Sequence, residues 1–182
     1  MPDPREAWAF LENSDPISSA EEVQAAIGRL GNEISERMAD AYPLVLAVMG
    51  GAVVFAGQLL PRLRFPIDFD YIHASRYGVE TRGAAIDWRV TPQEGVRGRT
   101  VLVLDDILDG GDTMNAIREK LLELGARSFS CAVLVEKILA RPKPIAPDFV
   151  GLRIPDRFVF GCGMDAKGFW RNLPEIRAMK GS

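Results

Sequence analysis

The fold is decided by residues 100–114, which read TVLVLDDILDGGDTM. The apolar start of this segment is typical of a parallel strand that is buried on both faces. Two aspartates follow at 105 and 106, and a glycine pair then precedes a helical pattern that begins at Asp112. Ligands of open α/β sheets bind beyond the carboxyl ends of the strands. We therefore predict that this strand, turn and helix carry a ligand site.

The segments on either side alternate between strand and helix patterns. Ser19 followed by Glu22 forms a capping-box pattern, and apolar residues then recur at helical spacing, which predicts an amphipathic helix over 19–40. We also predict strands over 44–49, 67–74, 84–90, 100–104 and 129–135, helices over 53–63 and 112–124, and only short strands, such as 157–161, from Lys137 onward. This order indicates an α/β fold with a mostly parallel sheet.

The turn after the central strand has the composition of a phosphate-binding loop. Glycines let backbone N–H groups close around an oxyanion, and a helix N-terminus adds about half a positive charge. Gly110, Gly111, Asp112 and Thr113 can therefore hold a phosphate without a lysine. Asp105 and Asp106 can bond sugar hydroxyls or hold hydrated Mg²⁺. A GxxxxGK string followed by Ser or Thr is absent from the sequence, which argues against ATP hydrolysis.

Composition excludes several classes of protein. The chain has 182 residues, of which 47% are hydrophobic, and this predicts one folded domain. A net charge of −3 argues against non-specific binding of nucleic acid. The uncharged stretch 44–60 contains glycines and lies between prolines, so we interpret it as a strand, turn and helix rather than a membrane span. The N-terminus lacks a signal-peptide pattern, which predicts a cytoplasmic protein. Cys131 and Cys162 are expected to be buried and unpaired.

The string VLVLDDILDGGDT at 101–113 resembles the signature of the type I phosphoribosyltransferases. It departs from that signature at Gly110, where the family usually has threonine, so a hydroxyl is missing from the loop. The resemblance implies that Asp105 and Asp106 contact the ribose hydroxyls of 5-phosphoribosyl 1-pyrophosphate and that 109–113 surrounds its 5-phosphate. It also implies a single phosphoribosyltransferase domain over 1–182, with a core over about 40–150 and a small hood from about 1–20 and 151–182.

The C-terminal third is similar to the hypoxanthine-guanine phosphoribosyltransferases. The similarity is carried by VLVEK at 133–137, PDFVGLRIPDRFVFGCGMD at 147–165 and FWRNLPEI at 169–176. It implies that Lys137 donates to the purine 6-oxo group, that Phe158 stacks on the ring and that the backbone of Val159 reads the base edge. Asp165 would hold a metal through water or contact the base, and Arg171 would contact pyrophosphate.

The same resemblance implies a reaction, in which a phosphoribosyl group passes to N9 of hypoxanthine or guanine and pyrophosphate leaves. Asp109 would act as the general base at N7, and Mg²⁺ would lie near Asp105, Asp106 and Asp165. The Met49-Gly50 turn would bind pyrophosphate through backbone amides, although members of the family frequently carry a basic residue at the position of Met49. The segment SRYGVETRG at 75–83 would form a mobile lid, and the active protein would be a homodimer or homotetramer.

Other interpretations remain open at this point. A lysine after a strand is usually solvated, Phe158 is of a residue type usually found in the core, and Asp165 and Arg171 can form a surface pair. Lys137 disfavours adenine, but a transferase that prefers xanthine differs only at the 2-position of the base. A regulator of nucleotide genes that binds phosphoribosyl pyrophosphate would need a basic face, which the net charge argues against.

Overall fold

The computed structural model describes residues 3–76, 86–92 and 94–182 of the chain. Helix α1 (Pro4–Glu12) and strand β1 (Ser14–Ser18) precede helix α2 (Ala20–Met38). The predicted capping box is present at the start of α2. The Glu22 amide donates to the Ser19 hydroxyl over 3.2 Å, and the Ser19 amide donates to the Glu22 carboxylate over 2.7 Å. These two bonds fix the first turn of the helix because they satisfy two amides that lack helical partners.

The other elements follow the predicted order of strands and helices as far as β6, and three more strands come after it. In chain order they are β2 (Leu44–Val48), α3 (Ala52–Leu59), β3 (Asp68–Arg76), β4 (Ile86–Val90), β5 (Thr100–Leu108), α4 (Asp112–Glu123), β6 (Ser128–Ile138), β7 (Phe149–Pro155), β8 (Val159–Phe160) and β9 (Ile176–Met179). Short 3-10 helices lie at Leu60–Arg62 and Glu94–Val96.

The central sheet has six strands in the order β4-β3-β2-β5-β6-β7. Strands β3, β2, β5, β6 and β7 run parallel, and β4 pairs antiparallel with β3. The strand order reverses between β2 and β5, and open α/β sheets bind their ligands at such a reversal. The loops after β2 and β5 therefore meet at the carboxyl edge of the sheet.

Both faces of the central sheet are covered by helices. Along β2, the side chains of Val45 and Ala47 join the cluster that contains residues of α2 and α3, whereas Leu46 joins the cluster that contains residues of α4. All five residues of β2 are buried, as the uninterrupted apolar run predicts. Full burial of one such aliphatic side chain contributes roughly 1.5–3 kcal/mol. The parts of the chain that the structure describes contain no helix long and apolar enough to cross a membrane.

A second sheet joins the two ends of the chain. It is antiparallel and has the order β1-β9-β8, with Ser14 opposite Met179 and Val159 opposite Ala178. Its strands come from the segments predicted to form the hood, while the boundaries of the core and hood stay a prediction. Helix α1 and strands β1 and β9 were not predicted from the sequence. The two strands are short and pair with distant segments, so they leave little local pattern.

Several predicted boundaries are wrong. Strand β5 continues to Leu108, so Asp105 and Asp106 lie within the strand and not beyond it. The neighbouring strand accounts for this extension, because β6 also runs on to Ile138 and pairs with β5 as far as Leu108. Strand β7 has seven residues in a region where only short strands were predicted.

The predicted lid over 75–83 falls mostly on residues 77–85, which lie outside the described residues. Its first two residues belong to β3, where Ser75 pairs with Asp87 and Arg76 with Ile86. The predicted strand over 84–90 is seen over Ile86–Val90. Cys131 and Cys162 are buried and unpaired, and burial raises the pKa of their thiols to about 12 and about 11.

Candidate active site

A cavity of about 610 Å³ opens at the carboxyl edge of the central sheet. It lies where the loop after β2 meets the end of β5 and the start of α4. The cavity contains every residue that the sequence analysis assigned to phosphoribosyl pyrophosphate. These are Met49, Gly50, Asp105, Asp106, Asp109, Gly110, Gly111, Asp112, Thr113 and Arg171. The fold therefore brings together residues that are separated by more than 120 positions in the chain.

The loop between β5 and α4 has the geometry of an anion site. Gly111 adopts a left-handed conformation with φ of 87° and caps α4, which has no side-chain cap. The first amides of a helix lack intrahelical partners and carry a partial positive charge. A side chain at Gly111 would be strained at this φ, and its Cβ would lie 3.4 Å from atoms of Lys143, Pro144 and Ile145. The residues of this loop also line the cavity, so an oxyanion in the cavity can approach the loop.

Asp105 and Asp106 form an acidic pair within β5. Burial, followed by the charge of Asp106, raises the pKa of Asp105 well above its ordinary value of 3.8. Burial also raises the pKa of Asp106, although hydrogen bonds and the nearby Arg171 charge partly oppose this. Within residues 3–76, 86–92 and 94–182, neither carboxylate makes an ion pair with a lysine or arginine. Two adjacent carboxylates of this kind suit a ligand that brings hydroxyl groups or a cation.

This acidic pair fits a magnesium ion that is shared with a substrate. Mg²⁺ prefers carboxylate oxygens and usually takes its other ligands from substrate phosphates and water. The described part of the chain contains no cluster of three acidic, histidine or cysteine side chains that could hold a metal on its own. Asp165 is already engaged, because Arg171 contacts one of its oxygens and the Gly168 amide donates to the other over 2.6 Å. Asp105 and Asp106 are therefore the better candidates for direct contact.

The loop after β2 passes very close to two other parts of the site. The Met49-Gly50 peptide bond is cis. A Cβ at Gly51 would overlap the Asp106 carboxylate, and a Cβ at Gly163 would overlap the Gly51 carbonyl oxygen. The backbone of the predicted pyrophosphate loop therefore packs directly against the carboxylate of Asp106 and against the backbone of the turn at 161–163.

A smaller cavity of about 200 Å³ adjoins the first. Its lining includes all four residues that the sequence analysis assigned to the purine, namely Lys137, Phe158, Val159 and Asp165. Asp106, Ile107 and Asp109 line both cavities, so these three residues mark their junction. The site therefore consists of two adjoining compartments of different size.

Within the smaller cavity, Lys137 and Asp109 contact each other. The Lys137 ammonium lies 2.7 Å from Asp109 Oδ2 and 3.6 Å from Asp156 Oδ1. Only 11% of the Lys137 side chain is exposed, so this lysine is not the solvated residue of the alternative interpretation. A donor and an acceptor therefore face the same small space.

The two phenylalanines of RFVFG have different surroundings. Phe158 is 45% exposed and lines the smaller cavity, whereas Phe160 is fully buried. The core interpretation thus applies to Phe160 and not to Phe158. An exposed aromatic ring beside a buried lysine offers a stacking surface for a planar ligand.

Arg171 is held in place by two acceptors. Its guanidinium donates to the Gly163 carbonyl oxygen over 2.6 Å and forms an ion pair with Asp165. The pair is not isolated on the surface, because Arg171 lines the larger cavity and Asp165 the smaller one. Neither Arg141 nor His73 was assigned to the site from the sequence, yet both residues also line the larger cavity. Arg141 Nη2 lies 3.2 Å from where a Cβ of Gly110 would stand, in the part of the chain from Lys137 onward for which only short strands were predicted.

Comparison with known proteins agrees with this geometry. Residues 14–167 match the model of the phosphoribosyl transferase domain, and this range contains both cavities except for Arg171. The chain belongs to the phosphoribosyltransferase family.

Known relatives of this phosphoribosyltransferase align with most of its length. It is 32% identical over 165 residues to the hypoxanthine-guanine phosphoribosyltransferase of Bacillus subtilis, and this alignment covers 90% of the chain and 92% of that relative. It is 31% identical over 159 residues to the hypoxanthine phosphoribosyltransferase of Escherichia coli, covering 85% and 89%. A crystal structure of a hypoxanthine-guanine phosphoribosyltransferase from Bacillus anthracis superposes with a TM-score of 0.84 at 29% identity and covers 91% and 98%. The type I phosphoribosyltransferase fold predicted from sequence is therefore confirmed.

Proposed function

We propose that this protein is a purine salvage enzyme, a hypoxanthine/guanine phosphoribosyltransferase. It transfers the 5-phosphoribosyl group of phosphoribosyl pyrophosphate to N9 of hypoxanthine or guanine, giving IMP or GMP and pyrophosphate. The observation that carries the proposal is the position of Asp109. This residue lines both the anion-binding cavity and the base-sized cavity, and it lies 2.7 Å from the buried Lys137 ammonium.

The larger cavity binds phosphoribosyl pyrophosphate. The amides of Gly110 to Thr113 receive the 5-phosphate, and Arg141 adds a positive charge beside the loop. This charge supports phosphate binding where Gly110 lacks the usual threonine hydroxyl. Asp105 and Asp106 accept hydrogen bonds from the ribose hydroxyls. The Met49-Gly50 loop and Arg171 receive the pyrophosphate, so that Arg171 replaces part of the charge that a basic residue at position 49 would supply.

The smaller cavity orients the purine. Phe158 stacks on the ring, and the Val159 backbone reads the base edge. Lys137 donates to the 6-oxo group, which is an acceptor in hypoxanthine, guanine and xanthine but is replaced by an amino donor in adenine. This position favours 6-oxopurines, because a buried ammonium that faces an amino group is left unpaired.

Asp109 acts as the general base. As the bond from ribose C1 to pyrophosphate breaks and the bond to N9 forms, the proton on N7 passes to the Asp109 carboxylate. General base catalysis of this kind contributes roughly 10² to 10⁴-fold to the rate. The contact with Lys137 holds the carboxylate at the junction of the two cavities, where the base meets C1.

A bound Mg²⁺ would neutralise charge on the departing pyrophosphate, which lowers the barrier to its release. Asp105 and Asp106 are the residues that would hold this ion, and Asp165 would contact it through water. A lid formed by 75–83, a homodimeric or homotetrameric state and a cytoplasmic location are further parts of the proposal. The location rests on the sequence, and the lid and the oligomeric state rest on the family resemblance.

A steady-state assay of the purified protein tests the proposal. Hypoxanthine, guanine, xanthine and adenine are each supplied with phosphoribosyl pyrophosphate and Mg²⁺, and the nucleoside monophosphate and pyrophosphate are quantified. We expect transfer to hypoxanthine and guanine with little transfer to adenine. Transfer to xanthine above both would assign the protein to the xanthine-preferring class, and the absence of transfer to any base would overturn the enzymatic proposal. Light scattering of the same sample measures the oligomeric state.

A further inference from the structure

We propose that Lys143 is a positioning residue that fixes the distance between Asp109 and Lys137. Lys143 lines neither of the two cavities described above. It lies in the segment 141–145, which covers the loop between β5 and α4. The inference rests on the proposed function, because it concerns the two groups that handle the base.

The Lys143 ammonium joins the two strands that carry these groups. It donates to the carbonyl oxygen of Lys137 over 2.6 Å and to that of Leu108 over 3.3 Å. The first carbonyl belongs to the lysine that reads the base, and the second precedes Asp109 directly in the chain. A single side chain therefore contacts the backbone beside both members of the pair.

The position of these bonds explains why they are needed. The ladder between β5 and β6 ends with Leu108 opposite Glu136. Beyond this pair β5 turns into the loop at 109–111, whereas β6 continues to Ile138 beside β7. Among the residues that the structure describes, no ladder hydrogen bond connects β5 and β6 at the level of Asp109. The Lys143 ammonium instead links the two strands, through its hydrogen bonds to Leu108 and Lys137, at the point where the strands diverge.

Burial and charge show that the contact is specific. The Lys143 side chain is 11% exposed, and a lysine at this depth requires partners for its charge. Glu136 supplies one at 3.5 Å. Glu136 also pairs with Arg153 over 3.0 Å, so it keeps a cation if Lys143 is replaced. Loss of the Lys143 ammonium would chiefly release the two carbonyl oxygens.

Loosening the link that Lys143 makes between β5 and β6 should lower the rate of the chemical step more than it weakens phosphate binding. A displacement of about 1 Å at reacting groups can cost about 100-fold in rate. The apolar stem of Lys143 packs near Gly111, with its Cβ 3.4 Å from where a glycine substituent would stand. Lys143→Met keeps this stem and removes only the donors, so the phosphate loop should retain its packing.

The test compares Lys143→Met with Lys143→Arg and with Lys120→Met. Lys120 forms an exposed ion pair with Glu123 on α4 and serves as the matched control. For Lys143→Met we expect turnover with hypoxanthine to fall about tenfold, the preference for hypoxanthine over adenine to narrow, and the KM for phosphoribosyl pyrophosphate to change less than about threefold. Lys143→Arg keeps the charge and donors and should retain more turnover.

Hydrogen exchange provides a readout that does not depend on activity. The amides of 107–110 and 137–139 should exchange faster in Lys143→Met than in the wild type or in Lys120→Met. Unchanged exchange there, or a lower melting temperature with unchanged turnover and base preference, would overturn the inference. Equal turnover losses in the Met and Arg variants at equal melting temperature would also overturn it. If the wild-type protein transfers to no base, the proposed function fails, and the exchange measurement still decides whether Lys143 joins the two strands.

Discussion

The ammonium of Lys137 lies 2.7 Å from Asp109 Oδ2, so the group proposed to read the purine 6-position also holds the proposed proton acceptor. Lys137 comes from the end of β6 and Asp109 from the turn after β5, which are neighbouring parallel strands. Changes at either residue are therefore expected to affect both base selection and proton transfer, although to different extents.

Asp109→Asn should lower turnover with hypoxanthine by at least about tenfold, because the amide keeps the size of the side chain but cannot accept the N7 proton. Binding of phosphoribosyl pyrophosphate, measured by calorimetry, should be largely retained. Asp156→Asn is the matched control, since it removes the more distant partner of Lys137 at 3.6 Å. Unchanged turnover in Asp109→Asn, or an equal loss in the control, would remove Asp109 from the role of base.

Lys137→Ser should reduce catalytic efficiency with hypoxanthine and guanine and narrow their advantage over adenine. The neutral hydroxyl can donate or accept, whereas the buried ammonium can only donate. Competition kinetics with pairs of bases measure this preference directly. Lys167→Ser, which alters an exposed ion pair with Glu6, should leave the preference intact. The assignment of Lys137 fails if the variant keeps the full wild-type preference.

Gly111→Val should weaken binding of a nucleoside 5-monophosphate by at least about tenfold. A β-branched residue is strained at a φ of 87°, and its side chain would enter the space between the loop and the segment 141–145. Gly98→Val is a matched control, because Gly98 has a φ of 72° with no atom near its missing Cβ and lies outside both cavities. Calorimetry showing normal affinity in folded Gly111→Val would exclude the loop as the phosphate site.

Asp105→Asn should raise the melting temperature at pH 7 while lowering activity. The folded pKa of Asp105 is raised, so the folded state binds a proton more readily than the unfolded chain does. The resulting stability is fully present below the unfolded pKa of about 3.8 and is lost as pH rises through the folded pKa. An amide avoids this loss, and each kcal/mol regained corresponds to roughly 2–4 °C in a domain of this size.

The advantage of Asp105→Asn should largely disappear near pH 3, well below the unfolded pKa of about 3.8, because the wild-type carboxyl is then mostly protonated in both the folded and the unfolded state. Calorimetric scans at the two pH values measure the effect without substrate. Asp68→Asn provides a control of opposite sign, because hydrogen bonds from Tyr42 and Arg99 lower the pKa of Asp68. A wild-type protein that is more stable than Asp105→Asn at pH 7 would contradict the proposed burial penalty.

The parts of the molecule that were predicted correctly are those with local causes. The capping box at Ser19 sets the start of α2, and the apolar run at 44–48 requires a strand buried on both faces. The glycine and aspartate pattern at 105–113 predicts the turn and the start of α4, whereas the roles of the site residues stay a prediction. These features are encoded within about ten residues of sequence.

The parts that were missed depend on partners far away in the chain. Strand β5 runs past Asp105 and Asp106 because β6 pairs with it, although aspartate is disfavoured in strands. Strand β1 forms because it pairs with β9, and this partner lies some 160 residues later in the chain. Arg141 and Lys143 reach the site through the packing of a proline-rich segment, and the sequence of that segment carries no periodic signal.

The overlap that any side chain at Gly163 would make with the Gly51 carbonyl has a consequence for protein engineering. Residues 158–165 are the natural target for a library that alters base preference, whereas 49–51 form the proposed loop for the leaving group. Because the two backbones touch, a library that randomises position 163 would return mostly variants with a displaced leaving-group loop. Designs that retain glycine at both 51 and 163 would separate a change of base from a general loss of catalysis.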